Sequence, residues 1–144
     1  MILMEGIDYR KLTQKERSDE KKYLLLKVQS IKTIIRGNPG DVFSEDMSVV
    51  LTPGGHIVCY PGFRWDGPSG PTFDSASTMR ASLFHDALYL LFREEKLNRE
   101  LYRYVADFIL YRLMIEDGAW HWRATLWLWT VWAFAKDKSI GRLN

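Results

Sequence analysis

The stretch ASLFHDALYLLF (residues 81–92) holds ten apolar or small residues in twelve, with His85 and Asp86 side by side at its centre. It reads as a buried helix, capped by Ser77 or Thr78 and running to about Lys96. An imidazole and a carboxylate in such a helix each need a partner, because a buried polar group without one is destabilising. The flanks of this helix settle the fold class. The downstream segment is helical, and the upstream segment is made of short β-branched runs.

Downstream, Asn98 can cap a second helix over about 99–116, ended by Gly118. The connection around Glu94–Asn98 is short, so the two helices should be antiparallel neighbours. A third helix is expected over about 119–136, AWHWRATLWLWTVWAFAK, which contains five of the six tryptophans. Its apolar stretch is well short of the roughly 20 residues that a membrane span needs. That helix can be a core element or a membrane-surface or protein contact, since tryptophan suits a boundary with one apolar and one wet side.

Upstream, YLLLKVQ (23–29) and IKTIIR (31–36) read as strands. MSVVLTPGGHIVCY (47–60) reads as a hairpin turning at Pro53-Gly54-Gly55, where glycine permits the positive φ of a tight turn. PGFRWDGPSGPTFDSAS (61–77) is too rich in glycine and proline for a helix or a central strand. Irregular loops of this length in compact domains are often functional. Residues 5–22 are dominated by charge and read as a solvated arm or short helix. The fold expected is thus α+β. A single domain over 1–144 would comprise a charged arm (1–22), a small antiparallel sheet (23–60), a Gly/Pro loop (61–77) and three helices (78–136), the first two an antiparallel pair.

Composition narrows the function. Apolar residues make up 47% of the 144, enough for a packed core, and the net charge of +2 gives no reason to expect a nucleic acid partner. One cysteine, Cys59, excludes an internal disulfide framework and a multi-cysteine zinc site. The N-terminus does not resemble a secretion signal, and no transmembrane helix is expected. The expected location is the host cytoplasm or a virion.

Residues four apart on a helix project within about 40° of each other, so His85 and Tyr89 share a face while Asp86 points about 100° away. Asp107 sits mid-way along the next helix, flanked by Ala106 and Phe108, with Tyr104 and Tyr111 on its side. His85 lies about as far before the interhelical turn as Asp107 lies after it, so antiparallel packing brings them to one height. A His85–Asp107 hydrogen bond would fix the imidazole tautomer and leave the other nitrogen free as a general base. Asp86 is then left to the Gly/Pro loop. There it could join Asp66 and Asp74 as oxygen ligands for a hard cation such as calcium, which takes six to eight oxygens. A purely structural cluster stands beside this reading, with Asp107 paired to Arg103 and Asp86 to Arg64 or Arg80.

The motifs carry two resemblances. YPGFRWDGPSGPTFDSASTMRASLFHDALY (60–89) resembles an uncharacterised domain family common in phages and prophages. Its pattern falls here on Pro61, Gly62, Phe63, Asp66, Gly67, Ser69 and Pro71, then on His85, Asp86 and Tyr89, then on Asp107. More distantly, His-Asp-x-x-Tyr after a glycine-rich loop, with an aspartate on the next antiparallel helix, is similar to the secreted calcium-dependent phospholipases. That similarity implies His85 as the base, Asp86 as a calcium ligand, and Tyr89 and Asp107 as the groups that orient His85. The disulfides that clamp the two helices in those enzymes have no counterpart here. Three functions are therefore expected in turn. The first is a phage accessory or virion-associated protein with a His-Asp/Asp polar cluster. The second is a calcium-dependent, phospholipase-like ester hydrolase. The third is a module that binds a phospholipid membrane or a phage or host protein through the tryptophan-rich helix.

Overall fold

The structure, a computed structural model, describes residues 7–17, 21–36, 38–67 and 76–117, together with Thr125, Leu128 and Trp129. The fold is α+β. Two sheets form where one was expected. The first has three strands in the order β1 (Tyr9–Lys11), β2 (Tyr23–Leu25), β7 (Arg64–Trp65). The second has four, in the order β3 (Gln29–Lys32), β6 (His56–Cys59), β5 (Val49–Leu51), β4 (Val42–Phe43). Every pairing is antiparallel.

The apolar run 23–36 does not stay in one sheet. It bends between Leu25 and Gln29, so β2 pairs with β1 and β7 while β3 pairs with β6. The hairpin at 47–60 forms as its turn residues require, with Leu51 opposite Ile57. Gly55 has φ +92°, and a Cβ there would stand 2.6 Å from the Thr33 carbonyl oxygen. Only glycine fits so close to backbone.

The charged segment 1–22 is not merely a solvated arm. Its residues 9–11 form β1, and buried Ile7 and Leu12 flank that strand. Arg10 makes two hydrogen bonds to the Glu16 carboxylate at 2.9 and 2.8 Å, while Thr13 N–H donates to the same group at 2.8 Å. The charged residues thus close a turn on themselves and leave the two apolar anchors to the core.

Two helices stand among the described residues, not three: α1 (Ala76–Arg93) and α2 (Arg99–Glu116). The expected helix at 119–136 lies outside the described residues except for Thr125, Leu128 and Trp129, whose backbone is helical. α1 begins at Ala76, so Ser77 and Thr78 lie inside the helix and do not cap it from outside. It ends earlier than expected, at Arg93. Glu95 takes φ +58°, Glu95 N–H bonds Phe92 O at 3.1 Å, and Lys96 N–H bonds Leu91 O at 2.9 Å. This is a Schellman stop with glutamate in the left-handed position that glycine usually fills. Asn98 caps α2 as expected, its side chain accepting from Leu101 N–H at 3.2 Å.

α1 packs against β6 and β7 and against α2. Being covered by both layers explains why its residues Met79, Leu83, Phe84, Ala87, Leu88 and Leu91 are all buried. Trp65 fastens the first sheet to it. The indole is fully buried, stacks on Phe63, and donates from Nε1 to Ser82 Oγ at 3.2 Å. Cys59 is a free thiol in this core, its pKa pushed up by burial, and so is no nucleophile. No helix of the described residues is long and apolar enough to cross a membrane.

Candidate active site

Arg80 meets Glu116 and Asp117 near one end of the helix pair, and His85 meets Asp107 further along it. As one number rises the other falls, so α1 and α2 run antiparallel. The polar cluster predicted from spacing therefore forms. His85 Nε2 lies 2.8 Å from Asp107 Oδ1, and Tyr89 O–H donates to the same oxygen at 2.8 Å. The His85 and Tyr89 rings contact each other at 4.4 Å between centroids. Asp107 is 0% exposed and His85 only 12% by side chain. The alternative Asp107–Arg103 ion pair does not form, and Arg80 is taken by α2. Tyr104, placed by the sequence on the side of Asp107, is instead turned to solvent.

Asp86 turns to the loop, as expected. Its Oδ2 accepts the Asp66 backbone N–H at 3.2 Å. It does not, however, leave His85 altogether, because Asp86 Oδ1 lies 3.6 Å from His85 Nδ1. The expectation of divergent partners holds for the Cα–Cβ directions but not for the ring. Nδ1 is the nitrogen nearest the backbone and swings sideways to the neighbouring residue, while Nε2 reaches across to α2. Nδ1 is thus not isolated, although 3.6 Å is too long for a hydrogen bond.

Two carboxylates flanking one imidazole fix its charge. Burial alone would push the His85 pKa down, but the hydrogen bond to Asp107, the close approach of Asp86 and the negative charges of both outweigh it and raise the value to about 9. At neutral pH His85 is an imidazolium in this arrangement. The Tyr89 phenol is held well above its usual value, first by burial and then by the Asp107 charge and hydrogen bond. It stays a hydrogen-bond donor.

The cation expected at Asp86, Asp66 and Asp74 can be tested against the donors present. Asp86 and Asp66 are hard oxygen donors, and a carboxylate oxygen that accepts one amide keeps further lone pairs. That chemistry suits calcium. The number does not reach a full shell: among the described residues no three His, Cys, Asp or Glu side chains form a group that could hold a metal ion, and Lys22 Nζ stands 4.0 Å from Asp66 Oδ1. Asp74 and the carbonyls of 68–75 lie outside the described residues.

At the described end of the loop, Gly67 follows Asp66 at a position where a side chain does not fit. Gly67 has φ +82°, and a Cβ on it would fall 2.3 Å from the Tyr23 ring. The Asp66-Gly67 pair thus sets both the amide that meets Asp86 and the backbone that clears Tyr23. The glycine after an aspartate in this loop was the available signal. No family model matches this chain, and neither a curated protein nor a solved structure similar to it is found.

Proposed function

We propose that the His85 cluster is a hydrolytic centre acting on carboxylic esters of the lipid class, with a hard divalent cation of the calcium type bound at Asp86. The observation behind this reading is the division of labour around one imidazole. Nε2 is locked to a fully buried carboxylate that Tyr89 also holds, and Nδ1 lies 3.6 Å from Asp86, whose other oxygen accepts the Asp66 amide. In that arrangement deprotonated Nδ1 takes a proton from water, and the hydroxide attacks the ester carbonyl carbon. The resulting imidazolium is stabilised by Asp107 and returns the proton to the leaving alkoxide, giving acid and alcohol. A cation at Asp86 would supply positive charge for the carbonyl oxygen. The resemblance of residues 60–89 to phage and prophage domains supports placing this activity in an accessory or virion-associated protein.

The test is fatty-acid release from mixed phospholipid vesicles in calcium and in chelator, using wild type and Asp86→Asn. Release that needs calcium and is lost in the variant supports the proposal. No release, or release indifferent to both changes, overturns it. A structural ion-pair cluster is the second reading, favoured by the raised His85 pKa. On that reading Asp86→Asn and Asp107→Asn alter stability while no esterase activity exists to lose.

A further inference from the structure

A cleft of about 880 Å³ opens at the corner where α1 turns into α2. Four of its lining residues are cationic: Arg93, Lys96, Arg99 and Arg103. Glu95 and Glu100 also line it, so the surplus is two positive charges. Among the described residues Arg93, Lys96 and Arg103 make no ion pair with either carboxylate. Arg103 has a sharper need. Its Nε is buried with no hydrogen-bond partner among the described residues. A buried guanidinium N–H without an acceptor is costly, and an arginine fork matches the oxygens of phosphate.

The cleft adjoins the His85 cluster. The Arg99 guanidinium lies 5.8 Å above the Tyr89 ring, and Tyr89 is the residue that hydrogen-bonds Asp107. Arg103 is one helical turn, about 6 Å along the axis, before Asp107. Beside the cations, Leu101, Tyr104 and Phe108 form an outward stripe at helical spacing, 66%, 58% and 62% exposed. Cations next to exposed apolar and aromatic side chains suit a ligand with an anionic head and an apolar body.

We infer that this corner is a phosphate-binding site, with Arg99 and Arg103 holding a phosphate group beside Tyr89 and with Arg93 and Lys96 at its rim. Its use for the phosphate of an ester substrate rests on the hydrolytic reading; the site itself does not.

Inorganic phosphate and vesicles containing phosphatidylglycerol are titrated separately into the full chain, in chelator so that binding is read without turnover. Wild type is compared with Arg99→Gln/Arg103→Gln and, should that pair fail to fold by circular dichroism, with Arg93→Gln/Lys96→Gln. Saturable binding of phosphate, weakened about tenfold or more in a folded variant, supports the site and identifies a soluble phosphate as sufficient. Binding of vesicles alone, weakened in the same way, supports it with a lipid headgroup as the source. Absence of binding to both probes, or binding unchanged in the folded variants, overturns it. A chain that binds phosphate yet releases no fatty acid keeps this site and loses only the hydrolase.

Discussion

Replacing Asp107 with asparagine isolates what the buried carboxylate does, because the side chain keeps its shape and loses its charge. In the wild type it is fully buried and takes two hydrogen bonds of 2.8 Å on one oxygen. The raised pKa of His85, about 9 against an ordinary 6.5, corresponds to about 3 kcal/mol of preference for the imidazolium in the fold. Asp107 contributes more of that than Asp86 does, through its hydrogen bond and then its charge. Asp107→Asn should therefore lower stability by about 2–3 kcal/mol near pH 6. The sign with pH is fixed by linkage. His85 has a folded pKa above its unfolded one, so its contribution is complete below about 6.5 and is lost as pH rises through about 9. The deficit of the variant should shrink to about 1 kcal/mol by pH 10, where a neutral imidazole no longer needs the charge. Urea unfolding of both proteins at pH 6 and pH 10, in chelator, reads this directly. An NMR titration of the His85 ring should show its pKa falling in the variant. A deficit equal at both pH values, or a His85 pKa that does not move, would refute the ion-pair account of the cluster.

The loops and caps yield three further outcomes. Gly67→Ala forces a Cβ into the Tyr23 ring and strains a φ of +82°, so it should destabilise the fold by about 2 kcal/mol or more in thermal melting; a loss under about 0.5 kcal/mol would contradict the contact. Glu95→Gly removes a left-handed φ of +58° from a non-glycine residue and should raise stability by about 0.5–1 kcal/mol, which chemical denaturation would register. Asp46 accepts bonds at one oxygen from Ser44 O–H, Ser48 N–H and Ser48 O–H. Burial works against its charge, but these bonds win and hold the carboxyl below its ordinary 3.8. Its contribution is present above that value and lost as pH falls through the depressed one. Asp46→Ala should cost about 1 kcal/mol at pH 7 and little under strong acid, as unfolding at the two pH values would show.

The helical half was legible in the sequence because its signals are long. Eighteen-residue helices with Asn98 as a cap fix both register and spacing, and these bring His85 and Tyr89 to Asp107. The β half was legible only where glycine dictated a turn, as at Gly55. Strands of two to four residues are too short to show a period, so neither β1 in the charged segment nor the split of 23–36 between two sheets could be read. β7 pairs with β2 across some forty intervening residues, a partnership no local pattern encodes. At the site, helical geometry placed the Cβ atoms correctly but not the ring of His85, whose Nδ1 comes within 3.6 Å of Asp86. The cleft of Arg99 and Arg103 was hidden for a related reason. Its cations come from both sides of an interhelical turn, and as sequence they look like solvated charge.

The central claim is that His85 acts as a base through Nδ1. Its most direct test is the rate of phospholipid ester hydrolysis, with calcium, by wild type and by His85→Gln of matched circular dichroism. Removal of a general base predicts a loss of about 10²–10⁴-fold, with the wild-type rate rising towards alkaline pH as the imidazolium gives up its proton. Equal rates in the two proteins, or no hydrolysis by the wild type at any pH, would contradict it.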